Sequence, residues 1–535
     1  RGKMSATQLR LASYILKEHY GETVEKVGMS ILRKGWTSLV SVKQDTGLAI
    51  SKIKKAICVL IQQNLVKFQK NARGQISYNA QISSILTVHQ YAKLTNCAKE
   101  IFGNESELII EELLHHGSMT MSAVVATVTG RLLDPALSQS EQIDCQHVAS
   151  KFEELVQGHL IRRCLANDVM VVTKDEEEEK LNISQPNNVE YELPTGYMAS
   201  ASGKRKAVSN DDGPAAKRRK NSNEEVSVDF EDADMLWRVN ILQFCHYLVN
   251  EMIESAVRNR LDEFAAEIVK VMLKMTILSR DGFSAQTKPV SVFEIDENLS
   301  DNSEIDSSQI AQYLNLLQDD EADFVSKVGE SAGGMYVVNI KKSIEAICVQ
   351  SIESVIRERC GSKSLRIFKL VLMKQHLEQK QVEDLIMVPS KEAKELLYTL
   401  LSEKFINLQE VPRATDYAPS RTFYLFSVNI PQVCRMLLDR SYKAVGNLIS
   451  RRHHETEEQK RLVEKSEKVN ATILALKGQG MDDNSPAVQE VEEMMTDQEK
   501  QLLAKLKTVL SKLERSELQV GDTILTFTQY LALNS

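Results

Sequence analysis

Residues 51–78 read SKIKKAICVLIQQNLVKFQKNARGQISY, and the order of apolar positions in this stretch decides the fold. From Ser51 to Gln63 the apolar residues keep helical spacing, and Ser51 is the expected N-cap. Leu65-Val66-Lys67-Phe68, Asn71-Ala72-Arg73-Gly74 and Ile76-Ser77-Tyr78 then give alternation, turn and alternation, the pattern of a β-hairpin. Upstream, Leu9, Leu11, Ile15 and Leu16 begin one amphipathic stretch, and Leu39 to Thr46 supply another. Residues 5–90 therefore read as a three-helix core followed by a two-stranded wing.

The same layout returns at fixed spacing. Ile57, Leu60 and Ile61 precede Leu65-Val66; Phe152, Leu155 and Val156 precede Leu160-Ile161; Leu397, Leu400 and Leu401 precede Phe405-Ile406. Helical geometry puts the first three residues of each set on one buried face, and the last two open the strand that carries the wing. A looser copy has Leu314, Leu317 and Phe324-Val325, with Met335-Tyr336-Val337-Val338 after Gly333-Gly334. Repetition of this kind predicts tandem homologous units. The expected class is mainly α with small β wings: four tandem winged-helix domains, the third extended, and a C-terminal antiparallel coiled-coil hairpin.

The expected boundaries are 5–90 for the first unit, 98–173 for the second, 233–360 for the third and 361–430 for the fourth. The third opens with a long apolar helix, Leu236 to Ala256. Residues 174–232 start with an acidic run, Asp175 to Glu179, turn polar, and read as a disordered linker. Inside it Lys204, Arg205 and Lys206 are separated by a ten-residue spacer from Lys217, Arg218, Arg219 and Lys220, the bipartite spacing of a nuclear import signal. The alternative is a solvated charge run or a loose nucleic-acid contact. From 431 to 535 two helices of about 45 residues, about 65–70 Å each, flank a breaker at Gly478-Gln479-Gly480. In the second, Leu503, Leu506, Leu510, Leu513, Val520, Ile524 and Phe527 alternate by three and four as a seam, with Glu517 as its one polar member.

Composition limits the function classes. A length of 535 residues exceeds what one core usually supports, and ten prolines and 22 glycines are few for it, which favours helices joined by short turns. A net charge of −8 opposes autonomous tight binding to nucleic acid, so any contact must use local basic patches. The eight cysteines include no C-x-x-C pair, so neither a zinc ribbon nor a disulfide framework is expected. No apolar run approaches the ~20 residues that span a bilayer, and no signal segment is read at the start. Arg1–Lys3 precede Met4 and read as an extension.

No catalytic motif is present: no phosphate-cradling glycine loop, no H-E-x-x-H, no G-x-S-x-G. His115-His116 and His453-His454 are sequence neighbours whose side chains diverge by ~100° on a helix, and Glu111-Glu112 and Glu492-Glu493 read as solvated helix faces. No enzyme, metal or cofactor is expected. The candidate site is instead a positive cluster on the first unit: Lys52, Lys54 and Lys55 on the third helix, with Lys67, Lys70 and Arg73 on the wing. Winged helices also dock proteins, and the residues leave both uses open. Glu153 and Glu154 on the equivalent helix of the second unit point to protein there.

Two stretches resemble a known family. Leu108 to Val125 (LIIEELLHHGSMTMSAVV) is similar to the second winged helix of the largest subunit in the RNA polymerase III-specific heterotrimer, and Lys54 to Val66 is similar to the first. The family is related to the α subunit of general transcription factor IIE, whose zinc ribbon is missing here. The resemblance implies a non-catalytic nuclear subunit that works with the polymerase clamp, two smaller heterotrimer subunits and promoter DNA. It also implies a role in opening promoters of tRNA and 5S rRNA genes, and a place in the machinery that transcribes foreign AT-rich DNA. The rival readings are a gene-specific winged-helix factor, which the net charge opposes, and a proteasome-lid or signalosome-like scaffold, which would carry one winged helix rather than four.

Overall fold

A computed structural model describes residues 5–70, 74–132, 145–165, 189–193, 235–279, 284–299, 307–330, 333–412, 422–478, 491 and 494–534. Arg73, both basic clusters of the import signal, Glu492-Glu493 and Arg1–Lys3 lie outside the described residues.

The first unit comprises α1 (Ala6–Tyr20), α2 (Glu22–Lys34), β1 (Thr37–Ser38), α3 (Leu39–Thr46), α4 (Ile50–Gln62), β2 (Val66–Lys70) and β3 (Ile76–Ala80). Helix α4 buries Ile53, Ala56, Ile57 and Leu60 against α2, whose Val24, Val27 and Ile31 face inward. Ser51 is not its cap: the helix starts at Ile50 after Ala49, which makes no side-chain cap bond. Strand β3 lies between β1 and β2, so Tyr78 stands opposite both Thr37 and Phe68.

Helices α5 (Ile82–Thr87) and α6 (Tyr91–Phe102) lead into the second unit: α7 (Asn104–His116), β4 (Met119–Thr120), α8 (Met121–Leu132), α9 (Cys145–Gln157), β5 (Ile161–Arg163) and β6 (Leu236–Val239). Leu236–Val239 is a strand, not the start of a helix, and it is the central strand of the second sheet, so this unit extends beyond residue 173. Strand β5 needs a partner for its backbone groups, and β6 supplies it. Burial adds to this, because Trp237 is fully enclosed and meets Phe152 edge-on at 5.5 Å. The span expected to be a disordered linker also contains an ordered turn: Val189–Tyr191 forms one 3-10 turn, and Tyr191 stacks on His159 at 3.9 Å.

The third unit follows α10 (Ile241–Arg260) with α11 (Glu263–Thr276), β7 (Val290–Ser291), α12 (Val292–Asn298), α13 (Ser307–Asp319), β8 (Val325–Gly329) and β9 (Met335–Val338). Next, α14 (Ile340–Lys374) is broken at Gly361, where φ 85° and ψ 169° form a conformation open essentially to glycine alone. The fourth unit takes the second half of α14, then β10 (His376–Glu378), α15 (Gln379–Ile386), α16 (Ser390–Ser402), β11 (Asn407–Pro412) and β12 (Thr422–Ser427).

All four units share one plan: helix, short strand, capped helix, helix, two strands, with the last strand at the centre of the sheet. The helix after each short strand is capped by a polar residue. Ser38, Thr120 and Ser291 accept from backbone N–H groups of the first turn, and Glu378 forms a capping box with Gln381. The spaced apolar sets become core: Phe152, Leu155, Leu160, Leu397, Leu400, Phe405, Leu314 and Leu317 are fully enclosed, while Ile61 and Leu401 are half-buried. In front of each strand pair stands a left-handed residue: Asn64, His159, Asp323 or Lys404. In three units the next residue donates to a carbonyl five back: Leu65 to Leu60, Leu160 to Leu155, Phe405 to Leu400, at 2.9–3.0 Å. This closes the helix and turns the chain into the wing.

The chain packs as two compact units, one of Leu9–Cys245 with Ile449–Leu513 and one of Arg1–Gln8, His246–Leu448 and Glu514–Ser535. The C-terminal arms are α17 (Ile430–Glu458), α18 (Lys460–Gly478) and α19 (Asp497–Leu533). Lys465 Nζ meets Glu499 Oε2 at 2.7 Å and holds that carboxyl below the usual range. Of the seam, Leu506, Ile524 and Phe527 are buried, whereas Leu503, Leu510, Leu513 and Val520 are half-buried.

Candidate nucleic-acid interface

Four inward residues fix how α4 sits, so its lysines are left to solvent. With Ile53 and Leu60 at the centre of the buried face, the 100° step places Lys52 and Lys54 on opposite flanks and Lys55 facing directly outward. All three are exposed, as is Lys70 at the end of β2; Lys67 is half-buried. Among the described residues none of these five lysines makes an ion pair.

The five do not form one patch. Lys54 borders an apolar cleft toward the second unit, walled by Leu39, Ile57, Ile61, Tyr78 and Leu236. Lys67 lines a different, polar cleft shared with Arg162, Arg238, Asn64, Tyr91 and Asn240. Lys52, Lys55 and Lys70 remain on the open surface.

The second cleft holds two cations that the sequence reading missed. Arg162 of β5 and Arg238 of β6 are register partners across the sheet, an arrangement of like charges that needs compensation. Glu190 lies 3.6 Å from Arg162, and Arg238 Nη1 donates to Asn64 Oδ1 at 3.1 Å. Burial pushes the Tyr91 phenol up to about 12, so it stays a neutral hydroxyl in this cleft. Reading LWRV as helix hid the pair, because only a strand brings Arg238 opposite Arg162.

The first two units are held close by backbone contacts. Gln62 Nε2 donates to the His116 carbonyl at 2.9 Å and Gln63 Nε2 to the His115 carbonyl at 2.8 Å. Gly117, at φ 79°, fits against the end of α4 because a Cβ there would stand 2.4 Å from the Gln62 carbonyl oxygen. The C-terminal end of α4 is thereby covered, which leaves its first two turns as the open part of the helix.

Glu112 corrects the expectation of a solvated helix face. Its side chain is 1% exposed, with Arg131 Nη2 at 2.5 Å and His116 Nε2 at 3.5 Å. It ties α7 to α8. Among the described residues no group of three or more His, Cys, Asp or Glu side chains is placed to hold a metal ion, and no helix is long and apolar enough to cross a membrane.

Comparison with known proteins places this geometry in a family. The model described as RNA polymerase III subunit RPC82 helix-turn-helix domain matches residues 10–71, and that of RNA polymerase III subunit RPC82 matches 150–347. The POLR3C C-terminal winged-helix domain matches 352–428, and the helical hairpin domain of DNA-directed RNA polymerase III subunit RPC3 matches 461–526. The chain is 41% identical to DNA-directed RNA polymerase III subunit RPC3 of Bos taurus over 535 residues, covering 99% of each chain. It is 40% identical to the Homo sapiens protein of that name with the same coverage. The Dictyostelium discoideum protein is 30% identical over 247 residues, 44% of this chain and 37% of that one. Four winged helices, a helical hairpin and similarity along the whole length make this chain a member of the RPC3 (RPC82) family of RNA polymerase III subunits.

Proposed function

We propose that this protein is a non-catalytic subunit of RNA polymerase III that works in the nucleus, with two smaller heterotrimer subunits at the polymerase clamp, to support promoter opening at tRNA and 5S rRNA genes. The observation that carries this reading is similarity over 99% of the length of RPC3 proteins. The division of labour follows the modules. The first winged helix faces promoter DNA through the exposed Lys52, Lys54, Lys55 and Lys70, while the acidic third helix of the second unit and the C-terminal hairpin face protein.

DNA contact by the first unit is supported by its exposed lysines. Phosphate contacts act through counterion release, and each one lost lowers the log–log salt slope by about 0.9. Replacing Lys52, Lys54, Lys55 and Lys70 with Glu is expected to weaken promoter binding by the assembled polymerase and to reduce that slope by roughly 2–4. Binding titrations from low to high salt measure it. An unaltered slope would mean that this unit docks protein instead.

Nuclear entry is assigned to the two basic clusters, Lys204 to Lys206 and Lys217 to Lys220. A reporter fused to residues 200–224 is expected to accumulate in nuclei and to redistribute to the cytoplasm when Lys217, Arg218, Arg219 and Lys220 become alanine. Fluorescence imaging decides, and undiminished nuclear signal in the variant would refute the assignment.

A further inference from the structure

Lys67 of the first wing and two arginines of the second sheet line one cleft of about 250 Å³. Lys67 and Arg162 are half-buried, and Arg238 is 8% exposed. Pairing of β5 with β6 sets Arg162 opposite Arg238, whose guanidinium donates to Asn64, the left-handed residue just ahead of β2. The close fit of Gly117 against the end of α4 keeps the two units near enough for Lys67 to share the cleft. We propose that this cleft is a binding site for a small inorganic phosphate anion, phosphate or diphosphate, which clamps the first wing to the second sheet.

Charge is the first argument. Among the described residues three cations and no carboxylate line the cleft. Glu190 stands 3.6 Å from Arg162 but is not part of the lining, and Lys67 makes no ion pair among the described residues. Cations gathered in a half-enclosed recess repel one another in surroundings less polar than water, and a multivalent anion between them turns that repulsion into attraction. Helix α10 begins at the same cleft with Ile241 and Leu242, so the positive end of its dipole adds to the field. The hydroxyls of Ser84 and Tyr91 belong to the lining as well, and burial keeps the Tyr91 phenol protonated and able to donate.

Size is the second. A volume of about 250 Å³ falls below the ~300–1,000 Å³ of sites for drug-sized ligands, which suits one or two phosphate groups rather than a whole nucleotide. A free anion enters such a recess whole, whereas a backbone phosphate must bring its sugars with it. Lys67 also stands apart from the exposed Lys52, Lys55 and Lys70 assigned to DNA, so the two sites are separable. An anion held by Lys67 on one side and by Arg162 and Arg238 on the other would fix the first unit, and with it the open face of α4, against the second.

Isothermal titration calorimetry of the full-length chain with sodium diphosphate and with inorganic phosphate, at an ionic strength held constant with sodium chloride, tests the site. The expected result is saturable binding of one anion per chain, tighter for diphosphate because it brings more charge to the same three cations. Lys67→Gln should weaken diphosphate binding about tenfold or more, the loss of one charge-assisted hydrogen bond, and Lys67→Arg should retain most of it. Ser84→Asp, which puts a carboxylate on the lining, should abolish binding by a different route. Lys43→Gln, on α3 and outside the lining, should leave it unchanged. Melting temperatures without anion establish that each variant is folded; diphosphate should raise that of the wild type and not that of Lys67→Gln. The proposal is overturned if the wild type shows no saturable binding or if Lys67→Gln binds as tightly as the wild type. It is equally overturned if diphosphate fails to bind while a short oligonucleotide without terminal phosphates binds in a manner that Lys67→Gln abolishes, which would give the cleft to nucleic acid.

Discussion

A chain ended at residue 173 is expected to lack a folded second winged helix, although every helix of that unit precedes the cut. Strands β4 and β5 pair only with β6 within their sheet, and β6 is Leu236–Val239. Without it, the Cys164 amide loses the Leu236 carbonyl at 2.8 Å, and the Leu160 carbonyl loses the Asn240 amide at 2.8 Å. The apolar loss is greater still, because Trp237 is fully enclosed and Phe152 packs on its ring. Trp237→Ala in the full chain is therefore expected to cost the unit about 3–5 kcal/mol. Deleting the strand is expected to remove more than the stability such a module has, roughly 5 kcal/mol or somewhat above. Amide hydrogen exchange on fragments 5–173 and 5–245 distinguishes the cases. Protection across 104–163 should be absent from the shorter fragment and present in the longer. Full protection in the shorter would show that β6 is dispensable.

The second large effect is expected at the base of the hairpin. Phe527 is fully buried with Val433, Leu437 and Tyr530, whereas Leu510 on the same seam is only half-buried. A carboxylate at Phe527 loses an enclosed aromatic ring, worth ~3–5 kcal/mol, and adds the cost of desolvating a polar group with no partner. At Leu510 the carboxylate keeps access to water, so Leu510→Asp is expected to cost about 1–2 kcal/mol. Limited proteolysis and chemical denaturation of both variants test the ranking. Phe527→Asp should open cleavage near residues 430–448 and 514–533, while Leu510→Asp should remain close to wild type. Equal losses would mean that the seam is buried uniformly and that its distal part has been misjudged.

The four-unit plan was legible because the helix-to-strand junction leaves a strong apolar pattern. Ile57, Leu60, Leu65 and Val66 and their counterparts mark both the buried helix face and the first wing strand. The residue that turns the chain there was not legible. Asn64, His159, Asp323 and Lys404 take the left-handed conformation in place of the glycine that would have announced it. Leu236–Val239 was misread for a different reason. Four mostly apolar residues beside a long helix fit either period, and the partners that make them a strand lie far upstream. The exposure of Lys52, Lys54 and Lys55 followed from helical spacing alone. Their separation onto different surfaces did not, since Lys54 and Lys67 border clefts made with the second unit. Arg162 and Arg238 became a pair only once β6 was a strand. Nothing in the spacing of Glu112 distinguished it from its exposed neighbour Glu111; its burial depends on Arg131 one helix away.

Membership of the RPC3 family makes assembly into RNA polymerase III the central functional claim, and one measurement tests it most directly. The full-length chain, tagged at its C-terminus and expressed near its native level, is purified from nuclear extract at moderate salt, and its companions are identified by mass spectrometry. The expected result is near-stoichiometric recovery of the large catalytic subunits of RNA polymerase III together with the two smaller heterotrimer subunits. Recovery of proteasome-lid or signalosome subunits, or of the chain alone on DNA without polymerase, would contradict it.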